Sequence, residues 1–408
     1  MSVITVFSGI FCKEDSVVHE ITGSTGYKLI TDKILVSDAA GLSDMAEGKV
    51  ERAFSASTSV FNKFTHEKER AIAYLRLALA KTLSEDNLIV FGLAGQLIPK
   101  EVTHVLRICL IADMKFRTRV AAEEKGLSEK DAVKLIHNTD NDRAAWVNNL
   151  FGIKDPWAAS LYDIVIPMDK KDVMEATEII KTNLDSDAVK TTESSKDAVK
   201  DFLLAAKVEV ALVQEGHTVD VNVKDGSVTL IINKHVLMLS RLEDELKSIV
   251  NRVPGVKSVD TKVGKDFYKT DIYRKIDLET PSKVLLVDDE REFVQTLSER
   301  LIMREMGSAV TYDGESALDM VSKDEPEVMI LDLKMPGIDG IEVLRRVKQT
   351  NPEIEVIILT GHGSENDRKV CMDLGAFAYL QKPVDIDLLS EKLREANEKI
   401  QQKKRQKG

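Results

Sequence analysis

The chain has 408 residues, 43% of them hydrophobic and 31% charged, with a formal net charge of −11. That length calls for roughly two to four domains rather than one core, and the composition suits water-soluble globular domains. The acidic balance argues against a general affinity for nucleic acid, with the basic end as the one exception. No uninterrupted apolar run is long enough to span a bilayer, and Met1–Gly9 lacks the basic opening of a secretion signal, so a cytoplasmic protein is expected.

The first apolar run, Val3–Phe7, reads as a strand closed by Ser8-Gly9. A phosphate-binding loop at this point needs glycines for close backbone approach and a lysine for the phosphates. Here Gly9 is followed by Ile10, Phe11, Cys12, Lys13, Glu14, Asp15 and Ser16. The second glycine is missing, and acids that repel a polyphosphate stand where the lysine belongs. Further strands at Asn87–Phe91 and Val105–Ala112 alternate with helical patterns at Glu67–Leu83 and Glu129–Ile136, which argues for a parallel sheet covered on both faces. His66, His104 and His137 are not spaced as a metal set. Cys12, Cys109 and Cys371 form no CxxC pair and read as buried, reduced thiols. The polar stretch Asn183–Lys200 reads as a linker or domain edge.

Several segments of residues 1–182 resemble the cytidylate-kinase-like family of nucleoside monophosphate kinases. They are Gly26-Tyr27-Lys28-Leu29, Val90-Phe91-Gly92, Arg107–Ala112 with Phe116–Val120, Gly126–Lys130 with Asp140–Arg143, and Leu161–Ile166. The resemblance implies a P-loop-kinase-like parallel α/β sheet. It also implies that Arg117, Arg119 and Arg143 clamp a transferring phosphate and that Gly9 and Ser16 lie where a nucleotide binds. The damaged glycine loop favours a non-catalytic domain. In that case the arginines are solvated helix charge, with Arg143 paired to Asp140 or Asp142. Nucleotide binding without turnover stays open.

The middle block, residues 196–264, reads helix, strand, turn, strand, helix, strand. Val219, Val221 and Val223 alternate with polar neighbours, as do Val228, Leu230 and Ile232, and Asp225-Gly226 between them is a hairpin signal. A helix over Val236–Val250 precedes Pro254-Gly255 and a last strand, Val256–Val263. This small α+β order resembles a BON domain. A spacer or interaction module is the expectation, since no basic stripe favours lipid. Gly264–Ser282 reads as a second linker.

The C-terminal block, residues 281–400, alternates five times: strands at Lys283–Asp288, Ala309–Tyr312, Val328–Asp332, Glu355–Thr360 and Ala378–Gln381, each followed by a helical pattern. In such doubly wound sheets the ligand site lies beyond the carboxyl ends of the strands. Those ends carry Asp288-Asp289-Glu290, Asp332, Thr360-Gly361 and Lys382-Pro383. Clustered carboxylates repel one another unless a hard cation such as Mg²⁺ joins them. An aspartate beside the metal can then accept a phosphoryl group, with a lysine and a hydroxyl to neutralise its oxygens. Asp332 suits the nucleophile, Asp288 and Asp289 the metal, Lys382 the countercharge and Thr360 the hydroxyl donor.

The runs Leu285–Glu290, Asp332–Gly337 with Asp339-Gly340, Thr360-Gly361 and Lys382-Pro383 resemble response-regulator receiver domains in order and spacing. The resemblance implies a flavodoxin-like (βα)5 fold and phosphorylation of Asp332 by a sensor histidine kinase or phosphotransfer protein. It further implies metal binding by Asp288, Asp289, Asp332 and the backbone carbonyl of Lys334, rotamer switching of Tyr379, a cis Lys382-Pro383 bond, and homodimerisation through the receiver as one arrangement. No kinase ATP signature stands out, so the phosphodonor is expected on a partner, and no helix-turn-helix stands out, so a DNA-binding output is not expected. Beyond receiver phosphotransfer and autodephosphorylation no stand-alone enzyme is expected, with nucleotide kinase activity in residues 1–182 left open. The basic end, Lys399–Lys407, reads as a frayed, solvated helix end. The whole then reads as a two-component phosphorelay protein whose receiver switches a non-catalytic nucleotide-kinase-like domain. The rival reading is a receiver-gated, active nucleoside monophosphate kinase.

Overall fold

The computed structural model describes residues 2–57, 59–236, 238–265, 267, 281, 283–304, 306–361 and 363–407. The chain divides into two compact units, Met1–Thr58 with Glu67–Tyr273, and Ser59–His66 with Arg274–Gly408.

The first unit holds a five-stranded parallel sheet of β1 (Val3–Ser8), β2 (Lys28–Thr31), β3 (Leu88–Phe91), β4 (Val105–Ile111) and β5 (Ile164–Pro167), in the order β2-β3-β1-β4-β5. Every residue of β1 is buried. Side chains alternate across a strand, so Val3 and Phe7 enter one hydrophobic core while Ile4 and Val6 enter the other. A strand covered on both faces reads as a continuous apolar run. The helix Glu14–Thr25 covers one face through Val17, Val18 and Ile21. The helix Glu67–Thr82 covers the other, with Ala71, Leu75 and Leu79 fully buried. The expected helix Glu129–Ile136 runs on to Phe151 and stops at Gly152, whose φ is 68°. Its second half buries Trp146 and Val147.

The same unit contains a three-stranded mixed sheet, β6 (Asp220–Lys224), β7 (Ser227–Ile232) and β8 (Ser258–Val263), in that order. β6 and β7 form the expected hairpin. Asp225 and Gly226 take φ values of 51° and 82°, the positive pair that a two-residue hairpin turn needs. β8 joins β7 in parallel after the helix Leu239–Val250.

The linker expected over Asn183–Lys200 is corrected. The helix Glu193–Gln214 begins inside that stretch, capped by Thr192, whose side chain accepts from the Ser195 amide. Phe202, Ala206 and Val210 pack into the core beside the five-stranded sheet, while Val208 and Leu212 pack beneath the three-stranded one. The polar residues of the second half of the stretch lie on the outer face of this helix, where Glu193–Lys196 and Asp197–Lys200 pair in solvent. The second expected linker, Gly264–Ser282, lies largely outside the described residues.

The second unit holds β9 (Val284–Val287), β10 (Ser308–Thr311), β11 (Val328–Leu331), β12 (Glu355–Thr360) and β13 (Ala378–Gln381) in the order β10-β9-β11-β12-β13, all parallel. This 2-1-3-4-5 order is a common doubly wound arrangement. Leu285 and Val287 face one core, Val284 and Leu286 the other. The last helix, Ile386–Lys407, is not simply a frayed, solvated end. Lys399 and Lys403 each donate to Glu355 at 3.0 Å, and Glu355 is only 1% exposed at the start of β12. A buried carboxylate requires cationic partners, and the basic tail supplies them.

Candidate functional site

Parallel strands put all their carboxyl ends at one edge of the sheet. In the second unit that edge gathers the acids expected from the sequence. One carboxylate oxygen from each of Asp288, Asp289 and Asp332 lies within 4.8 Å of the others. Asp288 and Asp332 are buried, at 4% and 5% exposure, and Asp289 is exposed. Asp332 follows directly on β11, where its amide donates to Val287 O at 2.9 Å. The loop beyond it is drawn in so tightly that a Cβ on Gly340 would stand 2.2 Å from the Asp332 carbonyl oxygen. Only glycine fits there, at the head of the helix Gly340–Thr350, and Asp339 caps that helix by accepting from the Ile341 amide.

Lys382 enters from the end of β13. Its amide bonds to Thr360 O at 3.0 Å, and its bond to Pro383 is cis as expected. Its Nζ lies 2.6 Å from Asp288 Oδ2 and 2.8 Å from Glu290 Oε1, with the Phe293 ring centroid 4.5 Å away. Burial pulls the ammonium pKa down, but its bonds to Asp288 and Glu290 outweigh that, so it ends above its ordinary value. Asp288 ends above its own ordinary value because burial outweighs the bonds to Lys382 and the Glu290 amide, with the charge of Asp332 adding to the rise.

These residues suit a divalent cation on an observation of this site: Asp332 Oδ1 is buried and has no hydrogen-bond partner. Leaving such an atom unpaired is costly, and a hard cation with oxygen ligands would satisfy it. Lys334 is exposed on the following loop. Thr360 is fully buried at the end of β12. Tyr379, half-buried on β13, has a buried hydroxyl. The sequence reading missed the acid that shares Lys382 with Asp288. Glu290 was visible beside the aspartate pair, but the 92-residue separation from Lys382 is bridged only in the folded sheet.

The nucleotide-site candidates of the first unit do not all converge. Gly9 and the loop after it lie beyond β1, with Arg117 and Arg143 close by. Arg117 makes a two-pronged bond to Asp140, both contacts at 2.8 Å, and Nε donates to Ile10 O. Arg143 Nε donates to Ser8 O at 2.5 Å, and Nη1 donates to Thr139 O. The expected Asp140–Arg143 or Asp142–Arg143 bond is therefore replaced: Asp140 holds Arg117, and Asp142 accepts from Ser55 and Ala56. Arg119 is exposed, 3.7 Å from Glu123, and Ser16 is exposed on the helix. The cysteines are buried and free. Burial pushes the Cys12 and Cys109 thiols up to about 12 and that of Cys371 to about 11. His104 is buried against Ser195 Oγ, 2.5 Å from its Nδ1.

Comparison with known proteins agrees with both halves. Residues 284–394 match the family described as response regulator receiver domain, and residues 3–170 match the cytidylate kinase-like family. The chain thus joins an N-terminal cytidylate kinase-like domain to a C-terminal response regulator receiver domain. It is 34% identical over 112 residues to the response regulator MprA of Mycobacterium avium (strain 104), a match covering 28% of this chain and 49% of that protein. The chain therefore spans about half the length of the curated relatives it matches. Among solved structures it is 33% identical to a response regulator receiver domain protein from Clostridium thermocellum, covering 29% of this chain and 94% of that one, with a TM-score of 0.28. To the Francisella response regulator 1452 receiver domain it is 28% identical, covering 29% of this chain and 98% of that one, with a TM-score of 0.28. No helix among the described residues is long and apolar enough to cross a membrane.

Proposed function

We propose that the chain is a phosphorelay response regulator whose receiver accepts a phosphoryl group on Asp332 from a partner histidine kinase or phosphotransfer protein. The observation that carries this reading is the convergence of Asp288, Asp289, Asp332 and Lys382 at one sheet edge, with Asp332 Oδ1 buried and unpartnered. Asp288, Asp289, Asp332 and the Lys334 carbonyl would hold Mg²⁺. When bound, the ion supplies positive charge to the carboxylates and to the incoming phosphoryl oxygens. An Asp332 oxygen attacks phosphorus, the O–P bond forms as the P–N bond of the donor phosphohistidine breaks, and the departing imidazole takes a proton from solvent. Lys382 leaves Glu290 and turns to the new phosphoryl oxygens, Thr360 donates its hydroxyl to another, and Tyr379 follows the space that Thr360 vacates.

In this reading the cytidylate kinase-like domain is a non-catalytic partner of the switch. Its support is that Arg117 and Arg143 are engaged by Asp140 and by main-chain carbonyls, and that acids replace the loop lysine. The three-stranded module, with its helix–hairpin–helix–strand order, serves as a BON-like spacer.

The test is phosphorylation of the full-length protein by acetyl phosphate with Mg²⁺, read by intact mass. Wild type should gain one phosphoryl group, while Asp332→Asn, or wild type with excess chelator, should gain none. Labelling of Asp332→Asn to the wild-type level would overturn the proposal.

A further inference from the structure

The loop after β1 carries an anion of its own. Phe11 and Lys13 have φ values of 63° and 59°, and such residues turn neighbouring backbone N–H groups toward one concavity. That concavity is filled. The Phe11 amide donates to Glu14 Oε1 at 3.2 Å and the Cys12 amide to Oε2 at 2.8 Å. The side chain sits at the head of the twelve-residue helix Glu14–Thr25, where the backbone favours negative charge. The charge of Glu14 is felt by both Arg117 and Arg143. Burial pushes its carboxyl pKa up, the bonds from the Cys12 and Phe11 amides oppose that, and the charge of Asp15 adds to the rise. Lys13, the loop's one cation, turns away toward Glu123, 3.6 Å distant. Gly9 is pressed beneath Arg117: a Cβ there would stand 3.1 Å from the guanidinium carbon. Two oxygens of one anion on successive loop amides, with arginines behind, is the arrangement in which such a loop receives a phosphate.

We propose that Glu14 is a tethered substitute for that phosphate, closing the N-terminal domain to nucleotides by filling the cradle with its own carboxylate. This deepens the reading of that domain as non-catalytic and rests on it. An incoming polyphosphate must displace Glu14 from two amides and then tolerate its charge and that of Asp15 close by. Removing the carboxylate frees both amides while Arg117 and Arg143 stay in place, so anion binding should appear.

Isothermal titration calorimetry of the full-length protein with pyrophosphate and with ATP tests this, using wild type, Glu14→Ala and Glu14→Gln. Glu14→Ala should bind pyrophosphate roughly tenfold to a hundredfold more tightly than wild type, as expected for two freed charge-assisted amide bonds. Glu14→Gln, neutral and of the same shape, should fall between the two. It takes the place of the alanine variant if circular dichroism shows that variant unfolded. A folded variant with no gain over wild type would overturn the role of Glu14 and leave the non-catalytic reading standing. Turnover of ATP by wild type would sink that reading itself.

Discussion

Tyr379 carries a hydroxyl that is buried without a hydrogen-bond partner, and it lies where Gly363 has no side chain: a Cβ there would stand 1.6 Å from the hydroxyl oxygen. The Thr360 methyl borders the same spot at 3.1 Å. An unpaired buried hydroxyl costs about 1–3 kcal/mol, so the ring is held against Gly363 with little surplus and by virtue of the missing Cβ. Gly363→Ala should therefore displace the ring from this spot while leaving Asp332 able to accept phosphate. With 3-fluorotyrosine in place of tyrosine, the fluorine resonance assigned by Tyr379→Phe should move in the alanine variant, and acetyl phosphate should still label it. An unshifted resonance would contradict this account. At this scale the acids and Lys382 were legible in the sequence because each stands at a strand end. The partners of Lys382, the seat of Tyr379 and the inward turn of Glu14 were not, because each depends on a backbone conformation or on a residue far along the chain.

Among the elements, the last helix shows how a polar pattern can mislead. Lys399 and Lys403 look solvated in sequence, yet both reach Glu355, and Lys348 lies 3.8 Å from the same carboxylate. Burial alone would raise the Glu355 pKa, but the bonds to Lys399 and Lys403 outweigh it and hold the carboxyl below its ordinary value of 4.5. A carboxylate with a depressed folded pKa contributes stability that is fully present above the unfolded value and is lost as pH falls through the folded one. Glu355→Gln should therefore lower stability by about 1–3 kcal/mol near neutral pH. The gap to wild type should narrow below the ordinary carboxylate value. Urea unfolding of both proteins at pH 7 and pH 4 checks this, and an equal gap at both would count against the clamp. The helix Glu193–Gln214 teaches the same lesson in reverse, since the polar start that looked like a linker is anchored. Ser195 Oγ accepts from the Thr103 and His104 amides at 2.8 and 3.2 Å.

Over the whole molecule, that helix joins the five-stranded and three-stranded sheets of the first unit into one folded body. Cutting the chain after residue 182 would uncover the apolar surface that Phe202, Ala206 and Val210 cover. Lost apolar burial of that kind costs roughly 1.5–3 kcal/mol for each large side chain. A fragment of residues 1–182 should therefore melt well below a fragment of residues 1–265, or fail to stay soluble, in a thermal unfolding comparison. Equal melting temperatures would show that the three-stranded module is a separable bead.

Period-two alternation, apolar runs and turn residues acting over a few positions were enough to reveal two parallel sheets, the Asp225-Gly226 hairpin and the acids at the receiver's strand ends. Such signals are local, and a parallel strand end is a fixed place once the strand is recognised. Folding alone decided which carboxylate shares Lys382, that Glu355 binds the C-terminal lysines, that Glu14 turns back into its own loop, and that one helix serves two cores. Each of these pairings depends on three-dimensional proximity or on backbone torsions, and neither leaves a periodic mark in the order of residues.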